Sequence, residues 1–218
     1  MGTRNLTILI NKAGAVKVAQ YGQWDGYPSG QGATVLNFCR NKEKLEKLKE
    51  KLDKCVFFQD EEYLKDWVQS YNSKIPTWEN PTVEDTRSIE DIYWFDMLKT
   101  RDLGANILDN IISVDITKLP KEHLGNIVLD NDISFGKDSL MCEYAYCINL
   151  QTNKLMCFVG FNKNKDAQHS LFEVTKDSNY YGCRLLKEYD LDNLPIVEEF
   201  VKELNALEEA ENEYSLYL

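Results

Sequence analysis

Residues 22–32 read Gly-Gln-Trp-Asp-Gly-Tyr-Pro-Ser-Gly-Gln-Gly, and they hold four of the chain's 11 glycines beside two large aromatics and an acid. Glycines permit backbone conformations closed to other residues. Trp24 and Tyr27 offer flat faces for stacking, while Gln23, Asp25 and Gln31 offer orienting hydrogen bonds. The segment runs into a helical pattern that begins near Ala33, so free N–H groups at the helix start could receive an anion. Asp25-Gly26 and Pro28-Ser29 are also good turn formers, which leaves two readings of Trp24: an outward stacking surface, or a plug in the core. The sequence predicts a binding surface at Gln23, Trp24, Asp25, Gly26, Tyr27 and Gln31. Arg4 joins them because its strand pairs with the one that ends at Tyr21.

Other chemistries find less support. No Gly-Lys-Ser/Thr follows the glycines at P-loop spacing, and Val35 stands where a dinucleotide fingerprint needs its third glycine. His123 and His169 lie 46 positions apart in polar surroundings, without neighbouring cysteines, and read as ordinary surface or loop residues. Neither a metal site nor a histidine-dependent triad is indicated, and no cofactor is predicted. Carboxylates are too numerous for the sequence to nominate a catalytic pair, so no catalytic residue is named. The opening hairpin invites comparison with N-terminal-nucleophile hydrolases, whose nucleophile is the first mature residue. Here Gly2 follows Met1, and Thr3 would become terminal only after further trimming.

The chain of 218 residues fits one domain, and a globule of this size buries roughly 70% of its unfolded surface without a staple. Its net charge of −11 is uneven: residues 187–218 hold two lysines against ten acids. That acidic face suits a basic partner, and the absence of a basic block gives no direct nucleic-acid signature. Six cysteines without C-x-x-C spacing read as buried reduced thiols in a cytoplasmic protein. No apolar run is long enough to cross a membrane.

The elements that would position the loop follow from periodicity. Leu6, Ile8 and Ile10 alternate with Thr7, and Val16 and Val18 return after Ala13-Gly14, which predicts a half-buried hairpin. Leu45, Leu48 and Leu52 predict a helix over 42–54. Residues 60–71, 88–98 and 103–112 read as further helices, with a proline-bearing loop over 73–87. Residues 140–150 and 154–161 flank Gln151-Thr152-Asn153 as a hairpin, and 171–174 and 182–189 read as added strands. Pro195 suits a helix's first turn, and an apolar stripe from Ile196 through Phe200 and Leu204 to Leu207 follows it. Strands early and late with helices between predict one α+β domain over 1–218.

The opening Gly2-Thr3-Arg4-Asn5-Leu6-Thr7, followed by Val18-Ala19-Gln20-Tyr21-Gly22-Gln23-Trp24-Asp25-Gly26-Tyr27-Pro28 and Gly30-Gln31-Gly32, resembles a family of uncharacterised proteins from phages, bacteria and fungi. The resemblance extends to Arg101-Asp102-Leu103-Gly104-Ala105 and to the hairpin from Tyr144 to Phe161. It brings no named activity. It implies a phage or mobile-element accessory protein, such as an inhibitor of a host defence component. The expected function is therefore non-enzymatic binding of a protein or ribonucleoprotein. The alternative is a small-ligand site or an N-terminal-nucleophile-like hydrolase centred on 22–32. The sequence does not indicate an oligomeric state.

Overall fold

The computed structural model describes residues 2–60, 62, 102–119, 121–176 and 178–215. Apart from Asp60 and Glu62, the helix expected over 60–71, the loop over 73–87 and the helix over 88–98 lie outside the described residues. The rest is α+β. Five strands form one mixed sheet: β1 (Asn5–Ile10), β2 (Val16–Gly22), β5 (Tyr144–Asn149), β6 (Lys154–Val159) and β7 (Arg184–Asp190), in the order β2-β1-β5-β6-β7. β1 runs parallel to β5, and the other neighbours are antiparallel. A small parallel pair joins β3 (Cys55–Phe57) to β4 (Ile127–Leu129).

β1 sits between β2 and β5, and all six of its residues, Thr7 included, are buried. The expected half-buried hairpin is thus corrected, because both faces of the sheet are covered. On one face Leu9, Val18, Ile148 and Leu155 pack against helices α1 (Ala33–Arg40), α2 (Lys42–Leu52), α3 (Asn106–Ser113) and α4 (Val197–Ser215). On the other, Leu6, Ile8, Cys147 and Phe158 meet Phe172 and Cys183. Phe172 belongs to a short 3-10 turn, Ser170–Phe172, where a strand was expected over 171–174. The His169 Nδ1 accepts the Leu171 N–H at 3.2 Å and starts the turn. The Phe172 ring then swings edge-on to Phe158, with centroids 5.2 Å apart.

The helices follow their sequence patterns with local corrections. Asn41 separates α1 from α2, because its side chain accepts the Lys44 N–H and caps the second helix. Leu45, Leu48 and Leu52 then share the buried face of α2, while Glu43 and Lys47 pair one turn apart on the exposed one. α4 begins at Val197, just after Pro195. Phe200 and Leu204 carry its burial, but Ile196, expected in the apolar stripe, is 47% exposed. The acids of α4 are partly occupied: Glu203 meets Lys187 and Tyr189, and Glu208 accepts from the Tyr144 hydroxyl.

His169 is a loop residue, but neither histidine lies open at the surface. His123 is fully buried, and His169 is half-buried, its pKa lowered chiefly by desolvation. All six cysteines are buried and none is joined to another. Burial pushes the Cys39 and Cys55 thiols up to about 12, which keeps them protonated and unreactive. Titration of denatured protein prepared without reductant is expected to find six free thiols, with almost none reacting before unfolding; two or fewer would contradict this. Among the described residues no helix is long and apolar enough to cross a membrane.

Candidate functional site

The β1–β2 ladder ends at the pair Asn5–Gly22, and the chain beyond Gly22 folds back over the start of β1. The Gly26 N–H donates to the Thr3 carbonyl at 2.9 Å. Fully buried Asn5 donates its amide to two carbonyls, those of Gly22 and Trp24, each at 3.2 Å. Tyr146, reaching up from β5, donates its hydroxyl to the Gly26 carbonyl at 2.8 Å. Gln31 works in both directions: its amide NH2 reaches the Trp24 carbonyl, and its Oε1 accepts the Ala105 N–H at 2.8 Å. The Gly104 N–H donates to the Tyr21 carbonyl. Four segments distant in sequence (2–5, 21–32, 104–105 and 146) are tied into one knot.

Gly104 shows how tight that knot is. Its φ is +50°, and a Cβ there would lie 2.8 Å from Gln31 Oε1. Gly104→Ala is expected to cost about 1–3 kcal/mol, since it meets both left-handed strain and a steric clash. Urea unfolding checks it, and an unchanged midpoint would contradict the packing described.

The underside is locked, yet the upper side faces solvent. Trp24 is 59% exposed and Tyr27 is 40% exposed, with exposed Asp25 between them. Gly2 lies directly against the Trp24 ring, close enough that any side chain there would collide with it. The Tyr27 hydroxyl donates to Asp25 Oδ1 at 2.9 Å, and that bond, with the nearby carboxylate charge, raises the Tyr27 pKa. Of the two readings of Trp24, the core plug does not fit this position.

The seven predicted residues therefore divide. Trp24, Asp25 and Tyr27 form the outer surface, whereas Gly26 and Gln31 brace it from below. Gln23 accepts a hydrogen bond from the Tyr21 hydroxyl. Arg4 lies beside the loop through its backbone, its carbonyl oxygen 3.0 Å from where a Cβ on Gly26 would stand. Its guanidinium turns towards the start of β5, with Nε 3.5 Å from Glu143 and Nη1 against the Met141 sulfur. The anion-receiving helix start is corrected. Residues Pro28–Gly32 form a π-helical turn leading straight into α1. Its Gly30 and Gly32 N–H groups bond to the Tyr27 carbonyl, and the Gln31 N–H bonds to the Asp25 carbonyl.

Sequence reasoning missed two parts of this region. Asn5 gave only one signal, a buried-strand position filled by an amide, and its role depends on carbonyls 17 and 19 residues away. The second part is apolar. The register aligns Gly22, Asn5, Tyr144 and Val159 in a single row across the sheet. Just beyond that row lie exposed Leu140, Met141 and Phe161, at the same end of the sheet as Trp24 and Tyr27. Leu140, Met141 and Phe161 were read as strand residues, but the strands stop short at Tyr144 and Val159, and Phe161 leaves the sheet with φ +51°. Lys137, Leu140 and Tyr180 help line a separate open cleft of about 380 Å³, which shares no residue with the loop.

No family model, curated protein or solved structure matches this chain. Its function is argued from the loop itself. Among the described residues, no cluster of His, Cys, Asp or Glu could hold a metal ion.

Proposed function

We propose that the protein acts by binding another macromolecule, a protein or a ribonucleoprotein, through Trp24, Asp25 and Tyr27. One observation carries this reading: a tryptophan more than half exposed, on a loop whose backbone is fixed from beneath by Asn5, Gln31 and Tyr146. Large aromatics held rigid in solvent lose little entropy on binding and are the residues that most often anchor interfaces. Leu140, Met141 and Phe161 add exposed apolar surface at the same end of the sheet. A phage or mobile-element accessory role, directed at a host defence component, is the form the family resemblance suggests for this binding, in the cytoplasm.

The alternative of a hydrolase working through a trimmed N-terminus gains nothing from the geometry. Gly2 and Thr3 are wrapped by the loop as structural partners, and trimming to Thr3 would take away the residue that Trp24 rests on.

Affinity capture from a lysate of the natural host tests the proposal, with wild type, Trp24→Ala and Asp25→Asn as parallel baits. The expected result is a stoichiometric partner held by wild type and reduced at least about tenfold with either variant, as expected for an interface anchor. A partner retained equally by all three baits would overturn the site.

A further inference from the structure

The polar groups of the loop indicate what its partner brings. Four of its backbone donors face inward: the Gly26, Gly30, Gln31 and Gly32 N–H groups bond within the knot. The Gln31 amide is engaged on both sides, and the Tyr27 hydroxyl already donates to Asp25. Exposed are the Asp25 carboxylate, the Trp24 and Tyr27 rings and Ser29. Among the described residues Asp25 forms no ion pair, and its one side-chain partner is the neutral Tyr27 hydroxyl. An exposed carboxylate flanked by π faces suits a cation and repels a phosphate or carboxylate.

The shape of the cation follows from the same residues. Trp24 and Asp25 are adjacent in the chain, Asp25 takes φ +56°, and its carboxylate accepts the Tyr27 hydroxyl at 2.9 Å. A guanidinium can lie flat on an indole and fork its N–H edge onto a carboxylate at once, which a compact ammonium cannot. Arginine is itself enriched in protein interfaces, where its aliphatic stem packs beside apolar groups. A chain with net charge −11 also draws basic partners by long-range attraction.

We infer that Trp24, Asp25 and Tyr27 receive an arginine guanidinium presented by a basic partner protein. This rests on the reading of the loop as a binding surface and adds the chemistry of the partner's anchor.

The probe is a capped pentapeptide, Gly-Ser-Arg-Gly-Ser, titrated into the intact protein while the Trp24 indole N–H resonance is followed. That resonance is assigned by its disappearance in Trp24→Phe. Two control peptides replace the arginine by lysine or by citrulline, the neutral isostere. The arginine peptide is expected to shift the Trp24 resonance saturably. Citrulline should bind about tenfold more weakly and lysine about threefold more weakly, and Asp25→Asn should weaken the arginine peptide about tenfold. Asparagine tolerates the left-handed backbone, so that variant keeps the loop's shape. Equal binding of the arginine and citrulline peptides, equal binding of the lysine peptide, indifference to Asp25→Asn, or no shift at Trp24 would each overturn the inference. If Trp24-dependent partner capture persists alongside any of those results, the binding surface stands and only the guanidinium assignment falls. Loss of both sinks both.

Discussion

Phe200→Ala is expected to destabilise the protein by about 3–5 kcal/mol, the range for removing a fully buried phenylalanine. Phe200 is wholly enclosed, its ring centroid 5.3 Å from that of Tyr189 and its neighbours drawn from the helix face of the sheet. Total stabilities of domains run about 5–15 kcal/mol, so one such change takes a large share. Urea unfolding reads it directly, and a loss below about 1 kcal/mol would mean that α4 packs otherwise. A chain ending before Pro195 is accordingly expected to aggregate, since Phe200 and Leu204 leave together, whereas one ending after Asn212 is expected to remain folded. A monomeric, cooperatively melting product of the shorter chain would contradict that.

Asn5→Ala is expected to cost about 1–3 kcal/mol, because it strips the side-chain donor from the buried Gly22 carbonyl and leaves the Trp24 carbonyl to Gln31 alone. The effect should be local as well as global. With only Gln31 left on the Trp24 carbonyl, the loop loses one of its pins, and the Gly26 and Gln31 amides should exchange with solvent faster than those of β1. Asn5→Asp should be worse, since it places a carboxylate where two carbonyls need a donor. Hydrogen exchange followed residue by residue separates the two effects. Unchanged protection at Gly26 and Gln31 in Asn5→Ala would show that the knot does not depend on Asn5.

How much of this could be read in the chain differs from element to element, for physical reasons. The opening hairpin was legible because Leu6, Ile8 and Ile10 alternate. Its burial on both faces was not, because the second cover comes from turns at 133–137 and 170–172, more than a hundred residues away. α2 was legible from its leucine spacing. Three-residue β4 was not, since three residues hold too little periodicity to register. The segment 171–174 has strand-like composition, yet a single side-chain acceptor at His169 turns it into a 3-10 turn.

The loop stood out through its residue types alone, and the outward placement of Trp24 and Tyr27 agrees with the surface reading. The direction of Arg4 was not available, because pairing in a hairpin fixes where a backbone lies but not where a long side chain goes. Nor was the link from the loop to Gly104 and Ala105, which exists only once the intervening chain has folded back.

The most direct test of the central claim is the thermal melt of Trp24→Ala, run on the same preparation used for partner capture. An outward tryptophan on a pinned loop predicts a midpoint within about 3 °C of wild type, the scale of an ordinary surface substitution, together with loss of the captured partner. A fall equivalent to about 3–5 kcal/mol, the cost of emptying a core site, with capture by Asp25→Asn intact, would contradict the account.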